Sequence, residues 1–366
     1  MIKRIVHCSL MLLILPVLAI AGKDGNLAEK KIIREFVTRT DGNLEIENKY
    51  GSIDVVTGPA NRISFEVVVM AECSSAKKAQ EAIDRVSIEF QESPTRVSAL
   101  TNIQSASGIM SWFDTDEVNL EINYKVTVPA DVYMDLTNKY GNIYVETTSR
   151  DLDVNLSYGD IRLGDINARL SLEMAYSDGA ISKINKGNLM LSYSNLEMED
   201  AQSVDADMKY SDLAMGSAIR ANIITAYSDF RAMDIDELTY RGKYDDVVIE
   251  RVKTIDMESA YSEMRIGGLS AHGRFDMRYG DLQISNIAAS FTRLDVNTSY
   301  TGVVLRFSEN TSYTLDAANN YCDIHQRGLR VTEDIQKGGS TTLKGSKGSG
   351  GGLVVARMNY GELSIE

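Results

Sequence analysis

The chain has 366 residues, 43% of them hydrophobic and 25% charged, with 27 Gly and 4 Pro. That excludes collagen-like, proline-rich and disordered classes and leaves ample apolar material for a core. Against 38 Lys and Arg stand 52 Asp and Glu, a net charge of −14, which argues against nucleic acid or anionic lipid as partners.

Residues 1–21 read as a secretory signal peptide: Lys3 and Arg4 precede an apolar run over residues 9–20, and Ala19-Ile20-Ala21 supplies the small residues a signal peptidase needs. The reading makes the protein an exported one. No later run is long and apolar enough for a transmembrane helix. Cys73 and Cys322 are then the remaining cysteines, and whether they pair stays open because no spacing demands it. His272 and His325 stand in no zinc-type spacing. No cofactor is expected.

Residues 22–139 predict a β-rich cap region continuous with the repeats that begin at Tyr140. Its apolar alternation comes without a tight period, and residues 76–86 have a helix-compatible order. Within it, residues 108–113 form an apolar cluster around Trp112 and Phe113, a candidate partner contact that is more simply read as packing under a loop.

Residues 140–336 carry the dominant signal. Tyr140, Tyr158, Tyr176, Tyr193, Tyr210, Tyr227, Tyr244, Tyr261 and Tyr279 recur every 17 or 18 residues, mostly followed by Gly or Ser and then Asp, Asn or Glu, with looser copies at Tyr300, Tyr321 and Tyr360 and an early one at Tyr50. Apolar residues fall four and two before each Tyr, and three, five and eight after it, which is strand alternation broken by turns. Seventeen residues cannot close a core alone, so coils must stack. The fold class is all-β, a parallel β-solenoid (β-helix) with a strand-rich cap containing one short helix. Residues 337–352 read as a Gly/Ser/Lys-rich loop and residues 353–366 as the closing coil.

The segment Asn48-Lys49-Tyr50-Gly51-Ser52-Ile53-Asp54-Val55, the segment Val126-Thr127-Val128-Pro129 and the succession of Tyr-Gly-Asp coils resemble the bacterial putative-adhesin family of β-solenoid type, related to the head domain of predicted auto-transporter adhesins. The resemblance implies a cell-envelope protein, in the periplasm or on the cell surface of a Gram-negative bacterium, and brings no catalytic residues with it.

Two columns invite a chemical reading. The tyrosines would stack as a corner ladder, and strand parity points them inward to support the core; the alternative is an exposed aromatic stripe that stacks on sugars. The acidic column two residues later includes Asp160, Asp178, Asp212, Asp229, Asp246 and Asp281. It could supply calcium ligands, although an Asp after Gly or Ser is also an ordinary turn former. The functional expectation is a non-catalytic interaction module binding a glycan or protein along one repeat face, with the oligomeric state open. A periplasmic sensing or scaffolding component and a carbohydrate-active β-helix enzyme are the alternatives.

Overall fold

The computed structural model describes residues 13–14, 18–21, 26–38, 42–93, 95–104 and 118–366. Trp112 and Phe113 lie outside the described residues, as does most of the 1–21 segment. The chain divides into two units, residues 1–171 and 172–366, and both are built from parallel β-solenoid coils, named here by their tyrosines. No helix among the described residues is long and apolar enough to cross a membrane.

In the first unit the Tyr50 coil, strands Asn43–Lys49 and Ile53–Thr57, pairs parallel with the Tyr140 coil, Tyr133–Lys139 and Ile143–Thr148. Its other side pairs, also parallel, with Arg96–Ile103 and Val118–Val128. The cap region therefore contributes coils to the stack. Polarity then reverses: Val86–Ser93 runs antiparallel to Arg96–Ile103, Arg62–Cys73 to Val118–Val128, and Asn26–Val37 to Arg62–Cys73. The predicted helix forms at Ala76–Asp84 and buries Ala79, Ala82 and Ile83 against the strands Asn26–Val37 and Arg62–Cys73. Leu13–Ile14 and Leu18–Ala21, within the expected leader, lie antiparallel along Asn26–Val37.

In the second unit successive 15-residue strands, from Asp178–Ser192 to Asp246–Ala260, pair residue i with residue i+17. Ladder pairing lapses around Ser182 and Asn185 and at the equivalent places in later coils, so each coil has three sides. The predicted apolar offsets line the interior; Leu189, Leu191, Leu196, Met198 and Ile184 are all buried.

Two expectations fail at the C-terminal end. Residues 337–352 are not a loop: Arg330–Lys337 and Ser340–Lys347 form an antiparallel hairpin around Gly338 and Gly339, whose φ values of 59° and 85° suit a two-residue hairpin turn. Nor does the last segment close the stack. Gly352–Ile365 lies between Arg293–Phe307 and Tyr313–Gln326, parallel to both. The Tyr321 coil lies beyond it, and Ser340–Lys347 runs antiparallel along that coil's first half. A β edge left open would recruit other strands, and the reversed hairpin covers part of this one.

Candidate functional site: the tyrosine ladder

Each coil turns at its tyrosine. Thirteen of these residues, from Tyr50 to Tyr360, have φ between 51° and 62°, the left-handed region that costs a non-glycine residue about 1–2 kcal/mol. This conformation overturns the inward reading. Residues four and two before the Tyr point into the core, but the left-handed corner turns the ring out and brings the following residue in. The rings of Tyr140, Tyr158, Tyr176, Tyr193, Tyr210, Tyr227, Tyr244, Tyr261 and Tyr279 are 42% to 51% exposed, whereas Ser177, Ser194, Ser211 and Ser228 are 2% to 5% exposed. Alternation counted across a corner fails when the corner residue leaves the β region.

The rings stack face to face. In the first unit Tyr50, Tyr140 and Tyr158 follow one another at 5.4 and 5.1 Å. In the second, successive rings from Tyr176 to Tyr300, then Tyr360 and Tyr321, are 4.7 to 5.1 Å apart, tilted by 10° or less. Each such pair adds about 0.5–1.5 kcal/mol beyond area burial, enough to offset much of the backbone cost. The outer face of Tyr321 is met by the hairpin turn, since a Cβ on Gly339 would come within 2.6 Å of its ring. Neighbouring rings thus occupy the faces, leaving the edges, which carry the hydroxyls, toward solvent. A sugar cannot stack on these faces; it can only meet the edges.

Behind the ladder runs a buried serine column. The backbone N–H of Ser177 donates to Ser194 Oγ (3.2 Å), that of Ser194 to Ser211 Oγ (3.1 Å) and that of Ser211 to Ser228 Oγ (3.1 Å). Each of these hydroxyls in turn donates to the carbonyl two residues earlier. At the Tyr244 coil the serine is replaced by Asp245, only 5% exposed. Its carboxylate accepts from the N–H of Ser228 (3.0 Å) and from the hydroxyls of Thr225 (2.7 Å) and Tyr240 (2.9 Å). Gly242 makes room, because a Cβ there would meet both Asp245 and Thr225 at 2.3 Å. Burial raises the Asp245 carboxyl above the ordinary carboxylate range, opposed by these hydrogen bonds; Tyr240 is raised by burial and by Asp245.

The acidic column lies on the far side of the corner and is used structurally. Asp212 accepts the N–H of Asp229 (3.3 Å), Asn195 donates to Asp178 (2.8 Å), Arg231 binds Asp229 (2.8 Å), and Arg265 binds both Asp246 and Glu263. Asp160 and Asp281 are exposed members of the same column. Among the described residues no three His, Cys, Asp or Glu side chains gather as a metal site. Cys73 and Cys322 are free thiols, and Cys322 occupies the serine position of its coil, its Sγ donating to the Asn320 carbonyl (3.2 Å).

A paired-carboxylate arrangement occurs at Asp135 and Asp153, register partners in the first unit. Burial, then Asp153 and Glu47, raise the Asp135 carboxyl. Asp153 is engaged by the hydroxyl of Tyr133 (2.7 Å) and by Arg169, which makes it a structural ion pair.

The chain is similar to three solved structures: a putative cell adhesion protein from Clostridium sporogenes (7% identity, TM-score 0.16, covering 92% of this chain and 99% of that one), a putative adhesin from Parabacteroides distasonis (12%, 0.33, 77% and 98%) and one from Parabacteroides merdae (11%, 0.32, 73% and 96%). The likeness is to putative adhesins. No family model matches the chain, and no curated protein does.

Proposed function

We propose that the protein is a non-catalytic, exported component of the cell envelope whose tyrosine face binds a linear partner, glycan or protein. The observation that carries this is the unbroken ladder of half-exposed rings in residues 172–366, held in a strained left-handed corner coil after coil. Strain kept at every repeat is a cue to function, and a straight row of phenol edges suits a long ligand.

The test is a binding screen of the purified chain against glycans and envelope proteins, with and without calcium. It is run beside a variant carrying Tyr193→Phe, Tyr210→Phe, Tyr227→Phe and Tyr244→Phe. Phenylalanine keeps the stack and removes the hydroxyls, so the variant should keep its circular dichroism and lose the ligand. Unchanged binding by the variant would exclude the tyrosine face.

A further inference from the structure

The residue before each ladder tyrosine lies beside the rings, on the side away from the acidic column. In all thirteen coils this position holds no carboxylate and five cations, in a chain where acids outnumber bases 52 to 38. In the second unit five consecutive coils read Lys209, Ala226, Lys243, Ala260, Arg278, a cation on every second coil with alanine between, while the remaining coils carry Ala175, Ser192, Ser299, Asn320 and Asn359. These residues align in the stack: Lys209 pairs with Ala226, and Ala260 with both Lys243 and Arg278. Lys209, Lys243 and Arg278 are exposed, and none forms an ion pair among the described residues. Between Lys243 and Arg278, over Ala260, is a notch of ≈ 400 Å³ whose rim also holds Arg241, Glu258 and Asp276. Glu258 is paired with Arg241 of the same rim, and Asp276 accepts from the Asn297 amide and keeps its charge. Lys243 and Arg278 against Asp276 leave the notch net positive, and the cations beside the ladder repeat every two coils, about 10 Å.

Resting on the tyrosine-face reading, we propose that the five coils from Tyr210 to Tyr279 bind a linear polysaccharide with one uronate per disaccharide, lying along the ladder with one sugar per coil. Sugars would meet the tyrosine edges and hydroxyls, and the acid of every second sugar would meet Lys209, Lys243 or Arg278. Coils recur every ~4.8 Å, and one pyranose ring with its glycosidic oxygen is of similar length. An extended peptide presents same-side residues every ~6.7 Å and falls out of phase with the cations. A nucleic-acid strand carries one charge per nucleotide, which does not match a cation on every second coil.

Calorimetric titration of the full chain with a hyaluronan oligosaccharide, a neutral chito-oligosaccharide and an oligogalacturonate of matched length, and with polyglutamate, tests this. Three exposed ion pairs imply roughly tenfold tighter binding of the alternating polymer than of the neutral one, an advantage that fades with added salt. The variant Lys209→Gln, Lys243→Gln, Arg278→Gln should bring the alternating polymer down to the neutral level and leave neutral binding unchanged. Equal binding of alternating and neutral polymers overturns the proposal while sparing the tyrosine-face reading. Tighter binding of the oligogalacturonate overturns the two-coil alternation, polyglutamate bound as tightly as the alternating polymer overturns the polysaccharide class, and binding of none of the four removes the glycan form of the tyrosine-face reading as well.

Discussion

At Asp245, Oδ2 and the hydroxyl oxygens of Thr225 and Tyr240 lie mutually 2.7, 2.7 and 2.9 Å apart. Both hydroxyls donate to the carboxylate and favour its charged form, but burial outweighs them and raises the carboxyl above its ordinary range. A folded-state pKa raised above the unfolded one means the native state binds more protons, so stability falls as pH rises from the ordinary carboxylate range toward the raised value. The substitution Asp245→Asn removes the titration. Denaturant midpoints of the parent should therefore decline relative to this variant as pH rises above the ordinary carboxylate range, about pH 4, and parallel profiles would show that Asp245 ionises normally. A second expectation concerns Tyr227, whose ring stacks on Tyr210 at 5.0 Å and on Tyr244 at 4.7 Å. Tyr227→Ala loses two stacking contacts, about 1–3 kcal/mol, and keeps the left-handed strain. Tyr227→Gly loses the same contacts and relieves about 1–2 kcal/mol of it. Glycine should thus be the milder change, the reverse of the usual order in a strand, as thermal denaturation of the pair would show.

At the level of the coil, the sequence was legible wherever a position repeats. The apolar offsets placed Leu189, Met198 and Ile184 in the core because burial and period coincide there. The corner was not legible by parity, since one left-handed residue shifts the phase by one; the small residue after each Tyr was the available signal, because buried Ser177 and Ser194 occupy the place the parity argument gave to the ring. The cations Lys209, Lys243 and Arg278 were also readable, as the only charge sign found before a ladder tyrosine. Glycine in the corner marks closer approach: a Cβ on Gly159 would come within 2.1 Å of the Gly141 carbonyl oxygen. Gly159→Ala must therefore push two coils apart, and a loss of about 1–3 kcal/mol is expected, as for other overpacked sites. Denaturant titration showing Gly159→Ala to be neutral would mean that the corner is looser than its geometry.

Over the whole chain, the order in which coils stack departs from the order in which they are made. Every coil carries the same offsets, so a Tyr360 coil fits beside any other, and nothing in residues 353–366 could announce that they lie inside the stack. The consequence is a fold whose last segment holds its neighbours together: Gly352–Ile365 pairs along its length with Arg293–Phe307 on one side and Tyr313–Gln326 on the other, and its Tyr360 ring bridges Tyr300 and Tyr321 at 4.9 and 5.1 Å. In an ordinary solenoid, trimming the end removes one outer repeat and leaves the rest nearly intact, because each repeat touches only its neighbours. Here a stop after Gly351 removes an inner coil. Val354, Ala356, Met358, Leu363 and Ile365, all buried, are lost together, and the Tyr313–Gln326 coil loses its parallel partner. Deleting residues 330–347 and bridging the gap with a short glycine linker instead removes only the covering hairpin and exposes the Tyr313–Asn320 edge. The expected contrast is that the stop variant releases residues 313–351 to rapid proteolysis, while the hairpin deletion keeps a protease-resistant stack but self-associates through its bare edge. Limited proteolysis with mass spectrometry, beside light scattering, reads both, and equal protease resistance of the two variants would place Gly352–Ile365 on the outside of the stack after all.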